Sequence, residues 1–511
     1  MMITITPNPF FFILLLAFFL LTGCATAPLH SGGSHSCQGL SSRASKDLND
    51  YSLYINSSST LYDVNKQIVA DPNAYVAKIF KNYNRVINVF ENNNGLMKQD
   101  NHIEMTVFIH GGLNTSQQVS ERIKKLKDQM LEDCKYPVFI SWRSGFPGNY
   151  LDHLLFLRRG EYSSTGESGS FFDGVTSFIK GPLVSPFVLM EDSLRAATRF
   201  PSSAYNVLVE QNIIRKNFFD DSLDTGSTPD AVDNAASSNY TNGININLPP
   251  KDNDEDLGFG DLWSVANPIK LVTAPYVDSL GSGAWNSMLR RTDLIIANDE
   301  AISINQSKPE AVPKTAIEND CKININANQT AVSEFFRFWQ CHYQNSITYN
   351  KNTRIINIIG HSMGTIISNK IIAKYPEIKF ANIVFMAAAC SLNDIAEIIS
   401  PYLIHHPDAN FYNLSLHPKR DQFENSSYVD IVPRGSLLWW IDNTLAEINS
   451  FQDRTAGYWP NIYKVAPKIF PQKIHRQVHL TKFGMVGNWP QSHGSFDDFE
   501  FWKETFWTAN R

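Results

Sequence analysis

The 511-residue chain carries 44 Lys and Arg against 50 Asp and Glu, a formal net charge of −6. Charged residues make up 18% and apolar ones 43%, enough for a sizeable core; this excludes a largely disordered chain and a basic nucleic-acid binder. Six cysteines are too few for a disulfide scaffold.

Residues 10–21 read FFFILLLAFFLL, an unbroken apolar run. As a helix it would span about 18 Å, at about 1.5 Å per residue, short of the roughly 30 Å of a bilayer core. It therefore reads as the hydrophobic region of a signal peptide. The run ends in Leu21-Thr22-Gly23-Cys24, which resembles the lipobox of bacterial lipoproteins. The resemblance implies a signal peptide over 1–23, cleavage before Cys24 and lipidation of that cysteine. Residues 24–60, rich in Ser, Gly and Asn, are then expected to form a lipidated tether. The implied location is the bacterial cell envelope. Ala25 in place of an aspartate favours the outer membrane, with the folded part facing the periplasm or the surface. Without Cys24 an odd number of cysteines remains: Cys37, Cys134, Cys321, Cys341 and Cys390. At least one is free or bridges two molecules, and Cys321–Cys341 is the expected pair.

Further along, apolar groups at helical spacing predict a helix over 61–92. A short strand follows at 105–109, ending in His110-Gly111-Gly112. A charged amphipathic helix over 116–133 has Ser116 as its cap, and residues 136–142 form the next strand. Strand, turn, helix and strand predict a parallel βαβ arrangement. The alternation then breaks. Residues 143–264 read as an insertion, either a lid or a loop, with an Asp-, Asn-, Ser- and Gly-rich part at 220–256 expected to be disordered. Apolar alternation resumes afterwards, with a helix at 332–343, strands at 354–359, 381–389 and 411–416, and a helix over 437–448. A strand-like segment at 475–483 and an aromatic-rich helix over 496–508 close the chain. The body is thus 61–142 plus 265–511, with the fold class α/β.

The sharpest motif is Gly360-His361-Ser362-Met363-Gly364, set between a β-branched strand and a helix at 365–374. A serine hydroxyl is a weak nucleophile and must be presented to a base with little bulk around it. A tight strand-to-helix turn does this, and it needs small residues two before and two after the serine. The following helix also points its positive end at a developing oxyanion. This constellation resembles the nucleophile elbow of the α/β-hydrolase fold, over about residues 100–142 and 265–511. The resemblance implies a mostly parallel central sheet flanked by helices, interrupted by a large insertion after an early strand. It implies an oxyanion hole built from the backbone N–H of Met363 and that of Gly112 or Leu113. The triad order in that fold is nucleophile, acid, base. Among 13 histidines, His493 lies after the last strand and before the closing helix, where that fold carries its base. His475 and His479 lie inside a predicted strand; His405, His406 and His417 precede any usable acid. For the acid, Asp421 lies five residues past the strand at 411–416. Asp430 is the alternative, because Asp430-Ile431-Val432-Pro433 before a helix resembles the acid loop of many lipases, and Glu424 is a third candidate. The short reach from the strand end favours Asp421.

The implied chemistry is cleavage of carboxylic esters through an acyl-enzyme, on an ester or lipid-like small molecule. Neither an organic cofactor nor a metal is implied, since no His, Cys or Asp cluster has zinc spacing. Nor is a nucleic-acid partner. The expected membrane contact runs through lipidated Cys24, and oligomeric state is left open. Two alternatives stand: an acyltransferase or thioesterase with the same triad, and a non-catalytic envelope scaffold that keeps the fold.

Overall fold

Buried strands rich in Ile, Val and Phe set the architecture. A computed structural model describes residues 37–55, 59–93, 102–111, 116–142, 198, 243–248, 268–296, 330–344, 354–424, 435–484 and 489–509. Among them nine strands form one sheet: β1 (Ser52–Ile55), β2 (Leu61–Tyr62), β3 (Glu104–Ile109), β4 (Lys135–Trp142), β5 (Asn245–Asn247), β6 (Ile356–His361), β7 (Phe380–Met386), β8 (Asn410–Leu416) and β9 (Val478–Phe483). Their order is β2-β1-β4-β3-β6-β7-β8-β9-β5. Every adjacent pair is parallel except β1 with β2. All six residues of β6 are buried, as a central parallel strand covered on both faces requires.

The helices used below are α1 (Pro72–Asn93), α2 (Ser116–Glu132), α3 (Pro268–Leu294), α4 (Ala331–Trp339), α5 (Gly364–Lys374) and α6 (Pro418–Phe423). On one face of the sheet α1 packs Tyr83 against Tyr136 of β4, ring centroids 5.1 Å apart, and α4 packs Phe336 against Phe380 of β7 at 6.2 Å. The two helices also hold each other through Phe80 and Phe335, stacked at 4.9 Å. On the opposite face Phe501, near the carboxyl terminus, lies 4.5 Å from Phe108 of β3. From β3 the chain proceeds outward to β4; from β6 it proceeds the other way through β7, β8 and β9. The order therefore reverses between β3 and β6, and in open parallel sheets the crevice at the carboxyl ends of such strands is where ligands bind.

Several expectations need correction. Part of the stretch read as a tether belongs to the body: β1 pairs with β4, and Cys37 is disulfide-bonded to Cys134. Its length of four residues, beside a Ser- and Asn-rich stretch, hid this strand. The segment expected to be disordered at 220–256 contains β5, which pairs with β9 and whose Asn247 side chain donates to the Thr481 hydroxyl at 3.2 Å. The closing helix over 496–508 is instead a 3₁₀ turn (His493–Asp498) and a short helix (Glu504–Trp507), because Phe496, Phe501, Trp502, Phe506 and Trp507 are all buried and do not share one helical stripe. The helix over 437–448 is α-helical only through Trp440 and widens into a π turn over Ile441–Leu445. His475 sits in a 3₁₀ turn before β9 rather than in a strand. The apolar run at 10–21, Cys24, Cys321 and most of 143–264 lie outside the described residues. Cys341 is disulfide-bonded, and Cys390 is a buried free thiol. Among the described residues no helix is long and apolar enough to cross a membrane.

Candidate active site

Ser362 sits at the carboxyl end of β6, in the sharp turn that leads into α5, with φ of 52°. A positive φ is strained for serine, so the turn must be held from outside. Its N–H donates to the Met386 carbonyl of β7 at 2.9 Å. Its carbonyl accepts from the N–H groups of Thr365 (3.1 Å) and Ala389 (3.2 Å) and from the Thr365 hydroxyl (2.7 Å). The glycines around it are set by close approach. A Cβ on Gly364 would lie 2.1 Å from the Ile109 carbonyl oxygen, and one on Gly360 only 2.8 Å from the Ser368 hydroxyl. A Cβ on Gly111 would lie 2.7 Å from the Ser362 Cβ. The end of β3 thus presses on both the serine and the start of α5.

His493 opens the 3₁₀ turn after β9, and its Nε2 lies 2.7 Å from the Ser362 hydroxyl oxygen, 131 residues away in sequence. Both side chains are buried. A hydroxyl donates to an unprotonated ring nitrogen, which is the arrangement that proton removal needs. Burial, with a smaller electrostatic contribution from His361, pushes the His493 pKa down to about 3, so the ring is neutral. Its backbone is held as well: the N–H donates to Glu424 Oε2 at 2.9 Å, and the carbonyl accepts from His361 Nε2 at 2.8 Å.

The chain matches no family model, and no curated protein or solved structure is significantly similar to it.

Among the described residues Nδ1 of His493 has no hydrogen-bond partner, carboxylate or other. Asp421, in the first turn of α6 just past β8, is wholly buried. Neither of its carboxylate oxygens makes a hydrogen bond of ordinary geometry among the described residues. Burial raises its pKa well above the usual range, and the nearby Ser436 side chain opposes that only in part. Glu424, at the end of α6, is pushed up to about 7 by burial and reaches the His493 main chain rather than its ring. Asp430 lies outside the described residues, as do Gly112 and Leu113. Met363 follows Ser362 as the cap of α5 and is fully buried.

Sequence reasoning gave no role to two residues that shape this site. His361 stood inside the motif without a function. His110 accepts the Trp142 N–H at Nε2 (3.2 Å), so its Nδ1 carries the proton and donates to the Gly111 carbonyl at 2.5 Å. Its ring thereby fixes the backbone that faces Ser362. Among the rival histidines, His475 binds the Phe470 carbonyl and His479 stacks on Tyr412 at 4.4 Å, so both serve packing. Among the described residues no group of three or more His, Cys, Asp and Glu could hold a metal ion.

Proposed function

We propose that this protein is a serine hydrolase of the α/β-hydrolase type that cleaves carboxylic esters. The observation that carries the reading is the 2.7 Å contact between the hydroxyl of a backbone-strained Ser362 and a neutral, buried His493. Its support is the placement of that pair at the reversal point of a parallel sheet, with a helix beginning at Gly364. In this reading Ser362 Oγ attacks the ester carbonyl carbon and His493 Nε2 takes the hydroxyl proton. The tetrahedral intermediate collapses to an acyl-serine as the proton passes to the departing alcohol. Water, activated by the same nitrogen, then releases the acid. The oxyanion donor is the N–H of Met363, joined by one from the loop that follows His110, to which Gly112 and Leu113 belong. Each such donor is worth about 10²–10³ in rate.

Asp421 is our assignment for the acid. Its support is its place: it is wholly buried in the first turn of α6, just past β8, and falls between Ser362 and His493 in chain order. We further propose an envelope location with Cys24 lipidated. The disulfides at Cys37–Cys134 and at Cys341 support a compartment outside the reducing cytosol.

The test is Ser362→Ala. The variant is expected to lose hydrolysis of a p-nitrophenyl ester and labelling by a fluorophosphonate, with its melting temperature unchanged. Turnover equal to that of the wild type rejects the reading.

A further inference from the structure

We infer that His361 is a positioning residue that docks the segment carrying His493 onto the turn carrying Ser362; this rests on reading those two as base and nucleophile. His361 Nε2 lies 2.8 Å from the His493 carbonyl oxygen. A carbonyl only accepts, so Nε2 carries the proton and Nδ1 is bare. The ring lies against His493, centroids 5.6 Å apart, and against Phe496 at 6.0 Å. Its Nδ1 is buried without a hydrogen-bond partner among the described residues. The other buried side chains along β6 are mostly isoleucines, at 356, 358 and 359, which fill space without leaving a polar atom unsatisfied. A histidine at the end of such a strand is a poor choice for packing alone, because the unsatisfied nitrogen is costly.

The geometry supplies the compensating role. The peptide groups on the two sides of the His493 Cα are held from two directions. Glu424, at the end of α6, accepts the N–H, and His361 of β6 donates to the C=O. His361 directly precedes Ser362, so the base is registered against the same strand end that presents the hydroxyl. The segment is braced further along by Arg122 of α2, whose guanidinium pairs with Asp497 at 2.8 Å. A small displacement of the ring would lengthen the 2.7 Å contact, and misplacement by about 1 Å costs about 100-fold in rate.

The experiment compares wild type, His361→Leu, His361→Asn, His361→Gln and Ser362→Ala as full chains. The readouts are kcat and KM on p-nitrophenyl butyrate and amide hydrogen exchange across 491–498. Leu keeps the bulk and removes the donor; Asn keeps an amide that stops short of the carbonyl; Gln places an N–H at the reach of Nε2. Leu and Asn are expected to lower kcat about 100-fold, leave KM within about threefold and speed exchange across 491–498. Gln is expected to restore both readouts to within about fivefold of wild type. Should Leu not fold, Asn against Gln decides. Exchange unaltered by Leu and Asn overturns the docking. So does a Gln variant no better than Asn, or an unchanged kcat in an enzyme that Ser362→Ala silences. If the wild type neither turns over ester nor labels at Ser362, the hydrolase reading fails by itself, and the exchange comparison alone then judges the docking.

Discussion

An imidazole can remove the proton of a serine only while it is itself unprotonated, and burial works in that direction at His493. The charged form is the one that burial disfavours, so the pKa falls toward about 3 from an ordinary 6.5. The acid limb of kcat/KM is therefore expected well below pH 6.5, with hydrolysis retained from pH 8 down to pH 5. A limb at or above 6.5 in a steady-state pH profile would contradict this. In the proposed triad Asp421 favours the imidazolium of His493, so its removal should lower kcat and move the limb further down. Asp421→Asn is expected to lose about 10⁴ in kcat, the scale on which a triad acid acts. Asp430→Asn should stay within about threefold of wild type. Silencing by Asp430→Asn with an active Asp421→Asn would transfer the role to Asp430.

The turn between β6 and α5 works only because three backbones meet almost in contact. At Gly364 an added methyl would lie 2.1 Å from the Ile109 carbonyl, which belongs to a buried strand and cannot give way. Gly364→Ala is expected to cost about 3 kcal/mol in unfolding free energy by chemical denaturation, the upper range for overpacking. Gly494, next to His493, has nothing within 4 Å of such a methyl, and its alanine variant should be near neutral. The strands β3, β4, β6, β7 and β8 and helix α5 were readable because their apolar runs are continuous and bounded by glycine or polar turns. β1 and β5 were not. Ser52-Leu53-Tyr54-Ile55 is too short to show a period and Asn245-Ile246-Asn247 too short and polar, and they become strands because β4 and β9 offer edges to pair with. In the candidate site the meeting of Ser362 and His493 was legible, the first from a motif and the second from its position in chain order. The contacts of His361 and Glu424 with the His493 main chain carry no sequence signature, because any residue supplies an N–H and a C=O.

Both ends of the described chain are fastened at one corner, where α2 ends and β4 begins. Cys37 bonds Cys134 through a disulfide, its N–H donates to the Glu132 carbonyl at 2.8 Å, and the Ser41 hydroxyl donates to the Glu132 carboxylate at 2.7 Å. From the other end of the chain, the Trp502 indole donates to Asp133 at 2.8 Å and Lys503 pairs with the same carboxylate at 3.1 Å. This corner lies at the amino edge of the parallel sheet, whereas Ser362 lies at the carboxyl edge, and six residues of strand separate the two edges by about 20 Å. Stability and catalysis should therefore come apart. The disulfide spans 97 residues of sequence, a closure that chain entropy makes effective because the unfolded state loses so many conformations. Replacing both Cys37 and Cys134 by serine is expected to lower the unfolding free energy by about 2–5 kcal/mol. Ester hydrolysis at 25 °C should stay within about twofold of wild type, since the hydrogen bonds that hold the Ser362–His493 pair among the described residues run to His361, Glu424, Thr365, Met386 and Ala389, none of them in that corner. A proportional loss of kcat in the folded double variant would mean that the amino edge of the sheet is mechanically tied to the site, and that the rigidity of β3 rather than local clamping sets the serine's position.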